Sequence, residues 1–520
     1  MAGNADDAPR YDVRLVPAAL TSWAVTAAGI LWHGGVLLTT LCAVAAGLCL
    51  PALRRQSGTG RAVTTAVLAA ALVGTGFGLA VTLRDNVVRD HPMARSIGEK
   101  VEVTVLVTES PRALGSGRTL LKADLRLLGD DESRGRVVIF APAQDFTGIT
   151  AGQSVRLRAR IGSPTRRDLT VAVLFAEGHP TMGPATVVQR GAHAVRSRLA
   201  ALARDVLPAI PAAMLPALVL GDTSALTPAV IEEFRTAGLT HLTAVSGANV
   251  TIVCGAVLLA AALIGPRAAV ALAALVLVAF VVVVQPTPSV LRAAVMGAIA
   301  LVAIVSSRRR QAVPALSATV IALMAVAPHL AVDIGFALSV AATAALVVLA
   351  PVWSRRMVAG GWPKPVADAL CVATAAQLVT APLIAGISGS FSIVAVAANL
   401  LVAPMVAPIT VLGTAAAALG WLWPGAASLL IRFTGPELWW LSRVAHWAAA
   451  IPHATVPVPS GSAGVLAVGA AAVVTALLWR RRGFRLLAAA AVLCLVAWSA
   501  SGCLTGRPAP VSAGRETIDR

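Results

Sequence analysis

Five polar residues, Thr240, His241, Thr243, Ser246 and Asn249, crowd the stretch GLTHLTAVSGANVTIV (238–253) at the head of a long apolar run. Polar side chains at membrane depth are costly unless they face protein or water. An anchor would carry leucine and valine there, so this segment is expected to face something other than lipid. On an ideal helix over 240–264, His241, Val245 and Asn249 share a face, with Ser246 beside it. A serine near a histidine also raises nucleophilic chemistry, with His241 or His446 as the base that Ser246 would need. A spacing of five along one helix is awkward for a Ser–His bond. Hydrogen bonding along a polar path is therefore the favoured chemistry.

Other polar residues fall in or beside apolar segments: Arg292, Asp333, Gln377 and Asn399. Taken singly, Asp333 reads as a helix N-cap, Arg292 as a snorkelling cation, and Gln377 and Asn399 as helix-to-helix bonds. Together with His241, Ser246 and Asn249 they describe a polar interior, either channel-lining or structural. Pro286 and Pro288 stand where one apolar segment ends and the next begins, and Pro404 and Pro408 stand inside one. Broken helices at membrane depth survive when buried in protein or lining a cavity, and a simple proline kink is the competing reading. In VRLRARI, Arg156, Arg158 and Arg160 have the spacing of two that puts them on one face of a strand. Such a stripe suits a phosphate backbone, and equally a solvated face balanced by acidic residues. Phe140, Phe146 and Phe175, the aromatics nearby, each fit a core position.

The elements that must carry these residues follow from composition. The chain has 520 residues, 57% of them hydrophobic and 13% charged. Apolar stretches of about 20 residues recur through most of it, which defines a polytopic α-helical membrane protein. Three spans are expected near 15–32, 35–53 and 62–83, within an N-terminal region 1–83. Residues 84–183 change character. VEVTVLV, LLKADLRLL, RVVIF, SVRLRARI and TVAVLF alternate as five strands, separated by turn clusters such as LGDDESRG. A small all-β, OB-like extracytoplasmic domain or a small sandwich fits. An amphipathic surface helix follows within 184–211, carrying Arg190, Arg196, Arg198 and Arg204. Apolar segments then recur near 240–264, 267–285, 288–306, 312–327, 333–351, 366–387, 391–419, 425–450, 463–479 and 484–502. The segment 425–450 is amphipathic enough to lie flat, and 503–520 reads as a disordered tail.

The net charge is +18. Arginine clusters at 54–55, 308–310, 355–356 and 480–482 fall on one side in this count, as cytoplasmic loops do. The six cysteines form no CxxC pair, the eight histidines form no HxH or HExxH, and no G-x-x-x-x-G-K-[ST] occurs. No cofactor, metal site or encoded motor is expected.

These stretches resemble the ComEC/Rec2 family of competence proteins. The resemblance is carried by LVLGDTSALTPAVIEEFRTAGLTHLTAVSGANVTIV (218–253). It continues in PSVLRAAVMG (288–297), DIGFALSVAATAAL (333–346), AQLVTAPLIAGISGSFSIVAVAANLLVAPMVAPI (376–409) and VPVP (456–459). It implies a competence channel domain over 212–460, with C-terminal spans over 461–502. It also implies uptake of single-stranded DNA across the cytoplasmic membrane during natural transformation, without enzymatic activity. The partners implied are single-stranded DNA, the lipid bilayer, an extracytoplasmic DNA receptor, a cytoplasmic ATP-driven translocase or single-strand-binding proteins, and a separate nuclease. Homo-oligomerisation is left open. Two departures stand out. Many members carry histidine where this chain has Asn249, and many end in a metallo-β-lactamase-like domain that is not expected here. A transporter for another polar solute and, less favoured, an intramembrane serine protease are the alternatives.

Overall fold

The computed structural model describes residues 12–55, 57–115, 117–146, 148–306 and 311–478. Three helices come first: α1 (Val16–Trp32), α2 (Gly35–Arg55) and α3 (Gly58–Arg89). His33, in the left-handed conformation, turns α1 into α2. Glycines let these helices approach closely: a Cβ on Gly78 would lie 2.4 Å from Thr39 Oγ1. Close approach at small residues is how helices pack in lipid, where burial alone supplies little drive. At 32 residues α3 is about 48 Å long, more than a bilayer core needs. Its surplus lifts the chain toward the β domain. Asp85, near its end, meets His33 at 3.1 Å and Arg89 at 2.6 Å.

After the short α4 (Pro92–Arg95), six strands form one sheet: β1 (Lys100–Val107), β2 (Arg112–Gly115), β3 (Arg118–Leu128), β4 (Asp131–Pro142), β5 (Ser154–Gly162) and β6 (Thr170–Met182). The order is β1-β5-β6-β4-β3-β2, and β1 also pairs with β3, so the sheet closes on itself. The β4–β6 pairing is parallel and the others are antiparallel. With α5 (Ala143–Phe146) between β4 and β5, this is a barrel of the OB type. Closure excludes the sandwich, and the short hairpin strand β2 adds a sixth strand to the five expected. Alternation fills the interior with Val103, Val105, Leu121, Leu125, Ile139, Leu157 and Leu174, while Phe146 plugs it.

The helical half follows as α6 (Val187–Val206), α7 (Ala209–Leu220), α8 (Pro228–Thr236), α9 (Thr240–Thr243), α10 (Gly247–Ala260), α11 (Pro266–Val284), α12 (Pro288–Val305), α13 (Ala312–Val326), α14 (Ile334–Ala344), α15 (Ala350–Ala359), α16 (Lys364–Ser388), α17 (Ala395–Leu419), α18 (Pro424–Phe433), α19 (Gly435–Ala450) and α20 (Ser462–Leu478). A π turn over Ala345–Leu349 joins α14 and α15 into one rod. A two-stranded ribbon, β7 (Ser390–Ser392) with β8 (Thr455–Pro457), ties two of the loops. Among the described residues seven helices are long and apolar enough to cross a membrane: α2, α3, α11, α12, the α14–α15 rod, α16 and α17.

Several expectations are corrected. The helix expected over 240–264 is two pieces, α9 and α10, because Ala244 and Ser246 take extended backbone between them. The shared face of His241, Val245 and Asn249 therefore does not form. Pro404 and Pro408 do not break their helix, since α17 runs through both. The Trp440 indole donates to the Leu401 carbonyl at 2.9 Å, tying α19 to α17 in the turn before Pro404. Pro286 and Pro288 lie at a connection, with Pro288 opening α12. Segment 425–450 divides at Thr434 into α18 and α19, neither long enough to span. The segment 484–502, the tail 503–520, the arginines of 308–310 and 480–482, and Cys494 and Cys503 lie outside the described residues. The other four cysteines are free.

Candidate functional site

The break before α10 gathers the polar residues. Asn249 is 5% exposed. Its Nδ2 donates to the Leu218 carbonyl at 2.8 Å, and its Oδ1 accepts from Ser246 Oγ at 3.0 Å. A carbonyl only accepts, so the amide orientation is fixed. Leu218 lies in the last turn of α7, where carbonyls lack helical partners. Asn249 thus ties α10 to α7, and Ser246, at the N-cap position, spends its hydroxyl on Asn249 instead of on the helix.

Arg292 sits on the other side of the same break, 7% exposed. Its Nε donates to Ser339 Oγ at 2.6 Å and its Nη1 to Met296 Sδ at 3.2 Å. Its Nη2 lies against Gly247, where an added Cβ would come within 2.5 Å. A side chain at Gly247 would therefore push the guanidinium out of this position. No carboxylate pairs with Arg292 among the described residues. The positive end of α10 also points here, so two positive groups share one place in the bundle. Ser339 and Met296, which hold the guanidinium, carried no signal in the sequence beyond helical spacing for Met296.

The remaining candidates are spread out. Asp333 caps α14, accepting from the Phe336 amide at 2.8 Å. Asn399 donates to Ala395 O at 2.8 Å and to Gly238 O at 3.4 Å, joining α17 to the turn after α8. Gln377 is half-buried along α16 and makes no side-chain hydrogen bond among the described residues. His241 is exposed. His446 faces Glu233 at 2.9 Å. With Ser246 bonded to Asn249, the geometry gives the serine-protease reading no support.

On the barrel, Arg156, Arg158 and Arg160 are exposed on one face of β5. Phe140 and Phe175 do not occupy the core assigned to them from sequence. Only Phe146 does. Along β4, Val137, Ile139 and Ala141 point inward, which sends Phe140 outward with Arg136, a parity readable in RVVIF. The register sets Arg160, Phe175, Phe140 and Leu120 in one row across four strands. The two rings stack with centroids 5.8 Å apart. Arg160 lies over Phe175 at 5.3 Å and Arg118 over Phe140 at 5.8 Å. The row sets two stacked rings and two guanidinium groups side by side on the outer face of the barrel.

The sequence profile of the competence protein family matches residues 218–483, just over half of the chain. The chain belongs to the competence protein family. The matched region starts in α7 and takes in both the break before α10 and Arg292, so the polar cluster belongs to the part the family shares. No curated protein and no solved structure matches the chain. Membership gives this competence protein a role in DNA uptake, and the seven long apolar helices among the described residues make it a multi-pass membrane protein.

Proposed function

We propose that this competence protein is the channel through which one strand of incoming DNA crosses the cytoplasmic membrane during natural transformation. The observation that carries the reading is Arg292, a buried cation with no carboxylate partner among the described residues, beside the positive end of α10. An unpaired buried charge costs several kcal/mol. A passing phosphodiester chain supplies the missing anion at every nucleotide, and so the cluster favours a polyanion over a neutral solute. Strand selection needs no base readout at such a site, because a phosphate is the same on every nucleotide.

In this reading the barrel row of Arg160, Phe175, Phe140 and Arg118, with Arg156 and Arg158 beside it, gathers single-stranded DNA delivered by an extracytoplasmic receptor. The polar residues Ser246, Asn249 and Asn399 hold the broken segment 238–249 in place around the path. The sequence contains no P-loop, so force comes from a cytoplasmic ATP-driven translocase or single-strand-binding proteins, and a separate nuclease removes the other strand. The test is uptake of a selectable linear marker in the native host. Deletion should abolish transformants and re-expression restore them. Unchanged uptake after deletion, in a host shown to be transformable, would overturn the reading in favour of a transporter for another solute.

A further inference from the structure

A cavity of about 370 Å³ opens where the barrel, α6 and the end of α11 meet. The barrel lines it with Thr108 and Thr150, α6 with Gln189, His193 and Arg196, and the residue after α11 is Gln285. Residues 189, 193 and 196 share a helix face, so the polar lining is built into the sequence of α6. The junction is tight on both sides. Gly152 takes a left-handed backbone, and a Cβ there would fall on the side chain of Gln189. Gln285 accepts from the Ser110 amide at 3.1 Å and donates to Ser110 Oγ at 2.7 Å. The volume is at the low end of small-ligand sites, about 300–1,000 Å³, which suits a single nucleotide.

Arg196 is the charge of this cavity. It is half-buried, and its Nη1 donates to the Val283 carbonyl at 3.4 Å, the one hydrogen bond its side chain makes among the described residues. A guanidinium has five N–H donors, so most of them are left for a ligand. Arg196 has no ion-pair partner among the described residues, and Asp222 acts on it from beyond ion-pair distance. Burial lowers its pKa, which marks a charge partly stripped of water.

The cavity also has a place between two features already described. Its barrel wall includes Gly152, and β5 begins at Ser154 with Arg156 two residues on. Four residues of chain reach about 14 Å at most, so the arginine stripe starts within that distance of the wall. Its opposite wall includes Pro286, two residues before α12 opens at Pro288. Two residues of chain and four of helix put the Cα of Arg292 within about 13 Å of it. Arg196 is thus a cation on a cavity bordered by the stripe on one side and by the connection carrying Arg292 on the other.

We infer that this cavity holds one nucleotide of the incoming strand, its phosphate on Arg196, between capture on the barrel and passage by Arg292. The inference rests on the DNA-channel reading and adds a handover site to it. A lone phosphate compound would use the guanidinium alone. A polyanion that touches both the stripe and Arg292 needs a cationic step between them, and Arg196 supplies it. The contact is to the backbone of the strand, so the site carries no base preference.

The test uses the full chain, purified in detergent, with an end-labelled single-stranded oligonucleotide and a benzophenone amino acid at one of two positions. Leu120, in the barrel row, reports capture on the barrel. Val188 lines the cavity and is 62% exposed, so a probe there leaves the core alone. Photolabelling of the oligonucleotide is expected from both. Arg196→Gln should cut labelling from Val188 about tenfold, the value of one charge-assisted contact, and leave labelling from Leu120 unchanged. Arg196→Lys should keep most of it, and Ala192→Trp, which fills the cavity, should lower it as Arg196→Gln does. Labelling from Leu120 alone, or labelling from Val188 that neither Arg196→Gln nor Ala192→Trp changes, would overturn the inference and leave the channel reading standing. Labelling from neither position would overturn the capture step and the inference with it. Loss of labelling from Val188 alone on adding phosphatidylglycerol would assign the cavity to a lipid headgroup and overturn the inference.

Discussion

The barrel and the helical bundle solve opposite problems with charge. In the barrel, Val103, Leu121 and Leu157 fill the interior and every strand turns its charges to water. Several of those charges are paired: Arg156 with Glu102 at 2.6 Å, Lys100 with Glu177 at 2.8 Å, Lys122 with Glu109 at 3.0 Å. In the bundle the outside is apolar, with Leu275, Val278 and Leu401 exposed, and a charge is inside, on Arg292, which has no carboxylate partner among the described residues. An exposed pair contributes little, about 0–1 kcal/mol. A buried unpaired cation is costly and persists only where something in the structure needs it. One charge in the bundle should therefore matter more than several on the barrel.

The strongest test of that contrast is Arg292→Gln. It keeps the hydrogen bond to Ser339 within reach and removes the charge. Uptake of a linear marker should fall at least 100-fold, about 3 kcal/mol, with the protein still present in the membrane fraction. Gly247→Ala should act in the same direction, because its Cβ would displace the guanidinium. Full uptake in Arg292→Gln would break the comparison outright.

On the barrel side the largest single effect should come from the rings. Phe175→Ala removes one ring of the stack and the seat of Arg160. Base–aromatic stacking contributes about 1–3 kcal/mol. Affinity of the full chain for single-stranded DNA should drop by roughly 5- to 100-fold, read by fluorescence anisotropy with a poly-pyrimidine oligonucleotide. Phe146→Leu, a change in the barrel interior, should leave the affinity nearly unchanged at equal folded fraction.

Sequence made the architecture legible because each half obeys a simple period. Alternation in VEVTVLV and SVRLRARI placed the strands, and runs of apolar residues placed α2, α3, α11 and α12. Closure of the barrel depends on β1 pairing with β3, a long-range contact that no local period encodes. The site was legible in residue type and not in arrangement. Ser246, Asn249 and Arg292 could be picked out as polar residues in apolar surroundings. Their grouping depends on the extended backbone at Ala244–Ser246, which hydropathy does not register because Ala and Val fit a helix equally well. Pro404 and Pro408 misled for the converse reason. A proline is an obvious breaker in sequence, but α7, α10, α16 and α19 pack around α17, and the helix runs on through both prolines.

The join between the two regions should respond to acid. His91 is buried at the barrel's edge. Its Nδ1 accepts from the Met93 amide at 3.2 Å, which places the proton on Nε2, toward Ser133 Oγ at 2.9 Å. Burial lowers its pKa. His329, in the turn before α14, is lowered to about 3, by burial first and then by Arg136, Lys122 and Arg84. Both groups bind fewer protons folded than unfolded, so their share of stability is complete above the unfolded pKa of about 6.5 and is lost as pH falls below it. For His329 the loss at pH 5 is up to about 2 kcal/mol, reduced because the ring keeps some contact with solvent. The midpoint of thermal unfolding in detergent should fall between pH 7.5 and pH 5, and His329→Gln should flatten that slope. A slope unchanged in His329→Gln would remove His329 from the acid response.

The smallest expected effect separates neighbours on one strand. Arg156 and Arg158 face the same way on β5, but Glu102 neutralises Arg156, while Glu177 opposite Arg158 is taken by Lys100. Arg158 is therefore the freer charge for a phosphate. Each phosphate contact on single-stranded DNA adds about 0.7 to the slope of log affinity against log salt. Arg158→Gln should reduce that slope by about this amount and weaken binding a few-fold at low salt. Arg156→Gln should change it less, because it also frees Glu102 to repel the strand only from an exposed, screened position. Equal slopes for the two variants would mean that the pairing on the barrel surface dissolves when DNA arrives, and that its exposed charges act as a shared field and not as individual contacts.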